Sequence, residues 1–310
     1  MRPAKRRIIR AKNKEKGRKH GLIFKLLIPI AIVLFFILFV KISTRYWNGK
    51  DKVAFVFRQN GGASVGVTVL DPTLNEIVTM TIPGETQVEV AKNYGTLRLK
   101  NVWQLSFNEK LKGDLLAETV TQNFLFPIKL WSEEDAQNLS KSNIAGIVKF
   151  IFLPIKTNIS LGDRLSISLF ALRVPKLNRT EIDLGKSQFL HKEKLSDGQV
   201  GYVLTGRISE RLSIYFTDTD FSQSGATIYI TDATNKFGIA QKVGEIVEVM
   251  GGKVVSIDKK DELKDTDCTV SGKNSKIVKK TAMFFGCTQK STVSNFDLEI
   301  TLGSKFAKRF

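Results

Sequence analysis

Residues 21–42 read GLIFKLLIPIAIVLFFILFVKI, and this stretch organises the rest of the chain. It is the only run in the sequence that is long and apolar enough to cross a bilayer, because about 20 apolar residues span roughly 30 Å of hydrocarbon. Lys25 lies near its N-terminal end, where a lysine side chain reaches the headgroups. The stretch therefore predicts a single transmembrane helix. Its anchoring side chains are spread along the whole run: Leu22, Leu26, Ile30, Phe35 and Val40.

A cleaved signal peptide is the alternative interpretation of residues 21–42. The apolar run is longer than the hydrophobic region of a usual signal peptide. In addition, residues 40–44, VKIST, offer no cleavage site of the small-x-small type. Both features favour an uncleaved anchor.

Positive charge is concentrated before the predicted helix. Residues 1–20 carry ten Lys and Arg against the single Glu15, whereas the Lys and Arg that follow the span are fewer and more dispersed. The positive-inside rule then places this basic tail in the cytoplasm and residues 43–310 outside the membrane. The tail also suits anionic lipid headgroups.

The same charge distribution weighs against nucleic-acid binding. The formal net charge is +18, but residues 1–45 hold 13 Lys and Arg against one Glu, so +12 lies in this first part. The remaining chain carries only +6. Because a nucleic-acid-binding domain would carry the positive charge itself, we expect the membrane and no nucleic acid among the partners.

The chain beyond the anchor has the composition of a folded protein, with 42% hydrophobic residues overall. After Asp114 apolar residues recur at every fourth position and predict a helix with one apolar face. Three earlier runs are rich in β-branched residues and predict strands: residues 53–57, 64–70 and 76–82. The predicted fold class is α/β and α+β, with a mixed-sheet domain over residues 53–216.

Residues 226–306 predict a second, small α/β domain. Strand and helix patterns alternate along it, and glycines stop both helices. The predicted elements are a strand at 227–230, a helix at 239–250, a strand at 254–257, a helix at 277–285 and a closing strand at 296–302.

The fold of residues 127–225 does not follow from the pattern. Residues 144–155, IAGIVKFIFLPI, are too short to span a bilayer, so a buried helix or strand is expected and a second membrane contact is the alternative. Further along, residues 161–175 predict a helix. Residues 202–207 and 212–216 predict strands, and residues 217–224 predict a polar linker.

The two cysteines, Cys268 and Cys287, both lie beyond the anchor. Outside the cytoplasm, a pair with this spacing predicts a disulfide worth roughly 3 kcal/mol. Two buried free thiols are the alternative. The two histidines, His20 and His191, are too few for a His/Cys zinc site, and His191 is expected at the surface.

The C-terminal part resembles a known family. Residues 227–235 (TIYITDATN), 237–243 (FGIAQKV) and 250–255 (MGGKVV) resemble the C-terminal domain of LytR-CpsA-Psr proteins. Residues 297–303 (DLEITLG) are similar to the closing strand of that domain. The resemblance covers residues 226–306.

The upstream part is similar to the catalytic domain of the same family. Residues 67–72 (VTVLDP) and 78–86 (VTMTIPGET) resemble its first hairpin. The resemblance implies an envelope protein that attaches glycopolymers from a polyprenyl pyrophosphate carrier to peptidoglycan, using magnesium. The family signature Ile-Pro-Arg-Asp-Thr is altered here, because Gly84 replaces the arginine and Glu85 occupies the aspartate position.

This departure bears directly on the chemistry. Moving a pyrophosphate-linked group needs cations that neutralise developing charge and carboxylates that hold the metal. Glu85 is the one candidate catalytic residue that the signature leaves. We therefore expect the catalytic domain to be degenerate.

Three functions are weighed on these grounds. The favoured one is a cell-envelope protein that binds or scaffolds wall glycopolymers, peptidoglycan or envelope proteins without a cofactor. The alternative is the family's phosphotransferase, with magnesium as its cofactor. The third is a regulator, since the C-terminal family carries a transcriptional attenuator label, but a domain outside the membrane cannot contact DNA.

Overall fold

A computed structural model of the chain describes residues 28–39, 46–133, 136–141, 143–206, 210–291 and 294–310. The chain divides into two compact units, Met1–Tyr46 with Ser160–Asp163, and Trp47–Ile159 with Arg164–Phe310.

Residues 28–39 form helix α1 of the first unit. Within the described ranges no helix has the length and apolar character needed to traverse a bilayer. Ile30 and Phe35 lie on α1 with exposed side chains. Leu22, Leu26 and Val40 lie outside the described residues, so the transmembrane anchor stays a prediction.

The strands and helices up to residue 206 follow one another as mostly short elements. In chain order they are β1 (Val53–Gln59), β2 (Ser64–Asp71), β3 (Glu76–Pro83), β4 (Gln87–Val90), β5 (Gly95–Arg98), α2 (Leu99–Asn108), α3 (Asp114–Phe124), β6 (Leu130–Ser132), α4 (Gln137–Ser140), α5 (Ile144–Phe152), α6 (Leu161–Arg173), β7 (Arg179–Asp183), β8 (Leu190–Lys194) and β9 (Val200–Leu204).

The elements after residue 210 alternate between helix and strand. They are α7 (Glu210–Ser213), α8 (Thr219–Ser224), β10 (Thr227–Asp232), α9 (Ile239–Val249), β11 (Lys253–Lys259), β12 (Cys268–Ser271), α10 (Ser275–Phe285), β13 (Thr288–Gln289), β14 (Leu298–Leu302) and α11 (Ser304–Arg309).

The first sheet has the strand order β6-β1-β2-β3-β7 and is mixed, as the sequence predicts. β1, β2 and β3 pair antiparallel, while β6 and β7 add parallel strands at the edges. Every residue of the central strand β2 is buried, because α2 packs on it from one side and its neighbours cover the rest. The predicted helix after Asp114 is α3, and its fourfold apolar repeat is fully buried. Asp114 is its first helical residue, and Gly113 takes the N-cap position.

The second sheet has the order β11-β10-β14-β12-β13. β10 lies between two parallel neighbours, and β12 pairs antiparallel with β14. α9 packs on β10 and β11, and α10 packs on β12. The side chain of Asn274 caps α10 by accepting from two backbone amides, and Gly286 ends it in the left-handed conformation (φ 67°). The alternation of strands and helices predicted from the sequence is therefore confirmed.

The predicted disulfide is present. Cys268 is the first residue of β12, Cys287 follows α10, and their Cα atoms lie 4.8 Å apart. The bond closes a loop that contains the whole of α10. It therefore ties the C-terminal end of this helix to β12.

One prediction for the middle of the chain is wrong. Residues 212–216 do not form a strand. Leu212 lies in α7 and Phe216 follows one helical turn later, and both side chains are buried. Residues 217–224, predicted as a polar linker, contain the helix α8, and Asp218 caps this helix by accepting from the amide of Asp220 at 2.8 Å. A spacing of four fits a helical turn better than an alternating strand.

Residues 144–155 contain the helix α5, but the prediction that this stretch is buried holds for only one of its faces. The buried face is formed by Ile147, Phe150 and Ile151. Other apolar side chains of the stretch are exposed, among them Ile144, Val148, Phe152 and Leu153.

Both sheets belong to the second unit, and a continuous apolar core runs between them. Phe126, from the segment after α3, stacks on Phe216 with ring centroids 4.4 Å apart. Lys280 of α10 adds ion pairs to Asp51 and Asp218 at 3.3 and 2.7 Å. The ion pair with Asp51 therefore links α10 to the segment that precedes β1.

Candidate functional site

The turn after β3 carries Gly84 and Glu85, and it is tightly closed. The amide of Gly84 donates to the carbonyl of Ala63 at 3.0 Å, and the amide of Lys100 donates to the carbonyl of Gly84 at 2.9 Å. A Cβ atom on Gly84 would lie 2.5 Å from the Ala63 oxygen and 2.9 Å from Cβ of Lys100. No side chain fits at this position without a shift of the backbone.

Glu85, in this turn, belongs to a cluster of four charged side chains. Its carboxylate accepts hydrogen bonds from Arg98, at the end of β5, and from Lys100 Nζ at 2.5 Å. Arg98 also donates from Nε and Nη2 to both oxygens of Asp197, at 3.0 Å and 2.9 Å. We call these four residues, Glu85, Arg98, Lys100 and Asp197, the charge cluster.

The charge cluster is electrically balanced, with two cations and two carboxylates. Hydrogen bonds from Lys100 and Arg98 hold the pKa of Glu85 below its usual value. The amide of Gln199 and the Arg98 guanidinium do the same for the pKa of Asp197. Glu85 and Asp197 in turn raise the pKa of Arg98. Each partner therefore stabilises the charged form of the others.

Arg98 is the central member of the charge cluster. Only 10% of its side chain is exposed, and its Nε, Nη1 and Nη2 atoms all donate to protein oxygens. A guanidinium whose donors are occupied in this way has little left to offer a phosphate. The cluster links β5, the start of α2 and the turn between β8 and β9.

The charge cluster does not fit a magnesium ion. Mg²⁺ prefers carboxylate oxygens in octahedral geometry, but here the carboxylates of Glu85 and Asp197 are already paired with Arg98 and Lys100, whose positive charges would lie beside the ion and repel it. Elsewhere in the part of the chain that the structure describes, no three His, Cys, Asp or Glu side chains come close enough to hold a metal.

Arg58 is a further cation, and it lies at the end of the first sheet where β3 leads into the Gly84 turn. The sequence patterns did not single it out. It is the penultimate residue of β1, and its Nη2 donates to the carbonyl of Gly61 at 2.8 Å. Its guanidinium carbon lies 6.0 Å from the ring centroid of Trp103. An arginine near the end of a strand, with two residues between it and a Gly-Gly pair, is the signal that points to it.

A cavity of ≈ 110 Å³ lies between α3, α10 and α11. Burial lowers the pKa of Lys129 and raises the pKa of Glu118, which line it. Lys129 Nζ already donates to the carbonyl of Met283 at 2.7 Å, and Glu118 pairs with Lys92 at 2.8 Å. These charged groups of the cavity wall are therefore already paired within the protein.

The comparison with known proteins gives likenesses to solved structures only. No protein-family model matches the chain, and no curated protein matches it. The chain is similar to B. subtilis TagT, with 11% identity over 52% of this chain and 87% of that chain and a TM-score of 0.38. B. subtilis TagV is 10% identical over 51% of this chain and 92% of that chain, with a TM-score of 0.35. The Lin1025 protein from Listeria innocua is 11% identical over 50% of this chain and 92% of that chain, with a TM-score of 0.37.

These solved structures include LytR-CpsA-Psr proteins. One is described as the LytR-CPS2A-psr family protein YwtF (TagT) with bound octaprenyl pyrophosphate lipid, and another as TagT bound to LIIa-WTA. TM-scores of this size are too low to establish a shared fold. What these proteins bind therefore reaches this chain only as a proposal.

The residues predicted from the sequence have different outcomes. Cys268 and Cys287 are paired as predicted, and His191 is exposed on β8. Glu85 is a member of the charge cluster, and its role in catalysis stays untested. The resemblance of residues 226–306 to the family's C-terminal domain also stays a prediction.

Proposed function

We propose that the chain is a membrane-anchored cell-envelope protein that binds wall glycopolymers or envelope proteins and carries out no phosphoryl transfer. The observation that supports it most is the turn at Gly84. The position of the family's signature arginine is closed by Ala63 and Lys100 at distances that leave no room for a Cβ atom.

The charge cluster supports the same proposal. Transfer of a phosphoryl-linked group depends on cations that are free to meet the charge developing in the transition state. Arg98 instead donates its hydrogen bonds to Glu85 and Asp197. This network holds the β4–β5 hairpin and the β8–β9 turn together, which is a structural task.

The charge of the chain beyond residue 45 suits an anionic partner. It carries a formal net charge of +6, and the basic tail of residues 1–20 lies on the other side of the proposed anchor. This charge is too small to indicate nucleic-acid binding, but its sign suits the phosphate groups of an anionic polymer. Wall glycopolymers that carry phosphate groups have this chemistry.

The phosphotransferase is the second candidate. Solved structures of TagT are described with bound octaprenyl pyrophosphate lipid and with LIIa-WTA. These ligands suit a transferase better than a protein that only binds wall polymers. Arg58, at the same edge as the closed turn, is the cation that such a reaction would use. The occupied carboxylates of the charge cluster weigh against the magnesium that it would need.

The proposal is tested by binding of labelled soluble wall fragments, in which glycopolymer is joined to peptidoglycan, to the full chain in lipid nanodiscs. We expect equal binding in magnesium and in EDTA, because no residue of the charge cluster is free for a metal. Glu85→Ala should change the dissociation constant by less than about twofold, as a rim contact does.

Glu193→Ala, at an exposed position of β8, is the matched control for this experiment. If no fragment binds the wild-type chain, the binding proposal is wrong. Binding that requires magnesium and disappears in Glu85→Ala, while Glu193→Ala retains it, would support the transferase instead.

A further inference from the structure

Helix α5 presents apolar side chains on two adjacent faces. One face is buried in the protein, as described above. The other is formed by Ile144, Val148 and Phe152, which recur at every fourth residue and are 66%, 50% and 68% exposed. Residues at this spacing line one side of a helix. A contiguous exposed apolar face of this kind marks a contact surface.

The charge around α5 favours an anionic surface as its partner. Residues 136–160 contain three lysines and no Asp or Glu. Lys156 is paired with Glu133 at 3.8 Å, whereas Lys149 is exposed in the last turn of α5, beside the apolar face. Helices that lie in the interface of anionic membranes combine an apolar face with lysines in this way.

Trp47, the first residue of the second unit, packs on α6, and α6 in turn contacts α5. Trp47 is buried, and its ring meets Phe170 of α6 edge-on, with centroids 5.8 Å apart. Arg164, also on α6, donates to two carbonyls at the C-terminal end of α5, at 3.0 and 3.2 Å. Only residues 43–46 separate Trp47 from the end of the predicted anchor, and five backbone steps reach at most about 18 Å.

We infer that the exposed face of α5 lies against the outer surface of the membrane that holds the anchor, with Phe152 among the acyl chains. The inference rests on the anchor of the proposed function. A helix of nine residues is too short to span the bilayer but long enough to lie along its interface. The contact fixes which side of the protein faces the lipid.

The test uses the full chain with Phe152→Trp in vesicles of phosphatidylcholine and phosphatidylglycerol, with or without brominated acyl chains. Bromine quenches tryptophan only at close range. We expect the fluorescence added by this substitution to fall at least about twofold with brominated lipid, as for a side chain inserted in the interface. Ile144→Trp, on the same face, should behave alike.

Phe237→Trp is the matched control, since Phe237 is a fully exposed phenylalanine in the segment between β10 and α9. The three native tryptophans are buried, and their fluorescence is removed by subtracting the signal of the wild-type chain. Equal quenching of Phe152→Trp and Phe237→Trp overturns the inference. A blue-shifted but unquenched signal from Phe152→Trp also overturns it, because a second copy of the chain then covers the face.

Flotation of the vesicles separates this test from that of the anchor. If the chain floats with the vesicles while Phe152→Trp stays unquenched, the anchor holds and the α5 contact is wrong. If the chain does not float, the proposed anchor is wrong, and the α5 contact that rests on it is wrong as well.

Discussion

Gly84→Arg is expected to lower the free energy of unfolding by about 3 kcal/mol, at the upper end for overpacked sites. Its Cβ atom alone would lie 2.5 Å from the backbone oxygen of Ala63. This oxygen cannot turn aside as a side chain would, because it accepts the hydrogen bond from the Gly84 amide. The measurement is urea unfolding of the full chain in detergent.

Gly84→Ala and Gly244→Ala separate the steric effect from the charge. Gly84→Ala carries the same Cβ clash and should already destabilise the chain. At Gly244, inside α9, a Cβ would meet three side chains at ordinary distances of 3.4–3.6 Å, so alanine should stabilise by about 0.5 kcal/mol. If Gly84→Arg is as stable as the wild type, the turn is not closed and the transferase regains support.

Removal of the disulfide is expected to lower the free energy of unfolding by about 3 kcal/mol. Without the bond, the loop between Cys268 and Cys287 regains its entropy in the unfolded chain. Cys268 is also buried, so a serine there would place a hydroxyl in the core. The double variant Cys268→Ser with Cys287→Ser is compared with the wild type by urea unfolding.

The reduced wild-type chain is the control for this pair, because it loses the bond but keeps both sulfur atoms. Its unfolding midpoint should move in the same direction as that of the double variant. In addition, chain purified from membranes without reductant should not react with a maleimide until it is unfolded and reduced. Identical stability of the oxidised and reduced chains would contradict the account.

Much of the fold could be predicted from the sequence, because its regular patterns are local. The alternating apolar residues of β1 to β3 and the fourfold repeat of α3 each report a face that must be buried. Gly286, after α10, is a helix stop that the backbone confirms with a left-handed φ. By contrast, β7 reads RTEID and has no apolar alternation, since it is a half-exposed edge strand.

The candidate site could be predicted only in part. The signature identified Gly84 and Glu85, but Arg98 and Asp197 are 99 residues apart and meet only through tertiary packing. The closure of the turn depends on Ala63 and Lys100, which come from other elements. Helix α5 shows the same limit, because a run that is apolar on all sides does not reveal which side is covered.

Turnover of a lipid-linked substrate tests the central claim most directly. The full chain in nanodiscs is given magnesium, a polyprenyl-pyrophosphate-linked oligosaccharide and peptidoglycan fragments, and release of the lipid carrier is followed. We predict no release above the level without protein, because Arg98 is committed to Glu85 and Asp197. Magnesium-dependent release that Arg58→Ala or Arg98→Ala abolishes would contradict the account and identify the chain as a transferase.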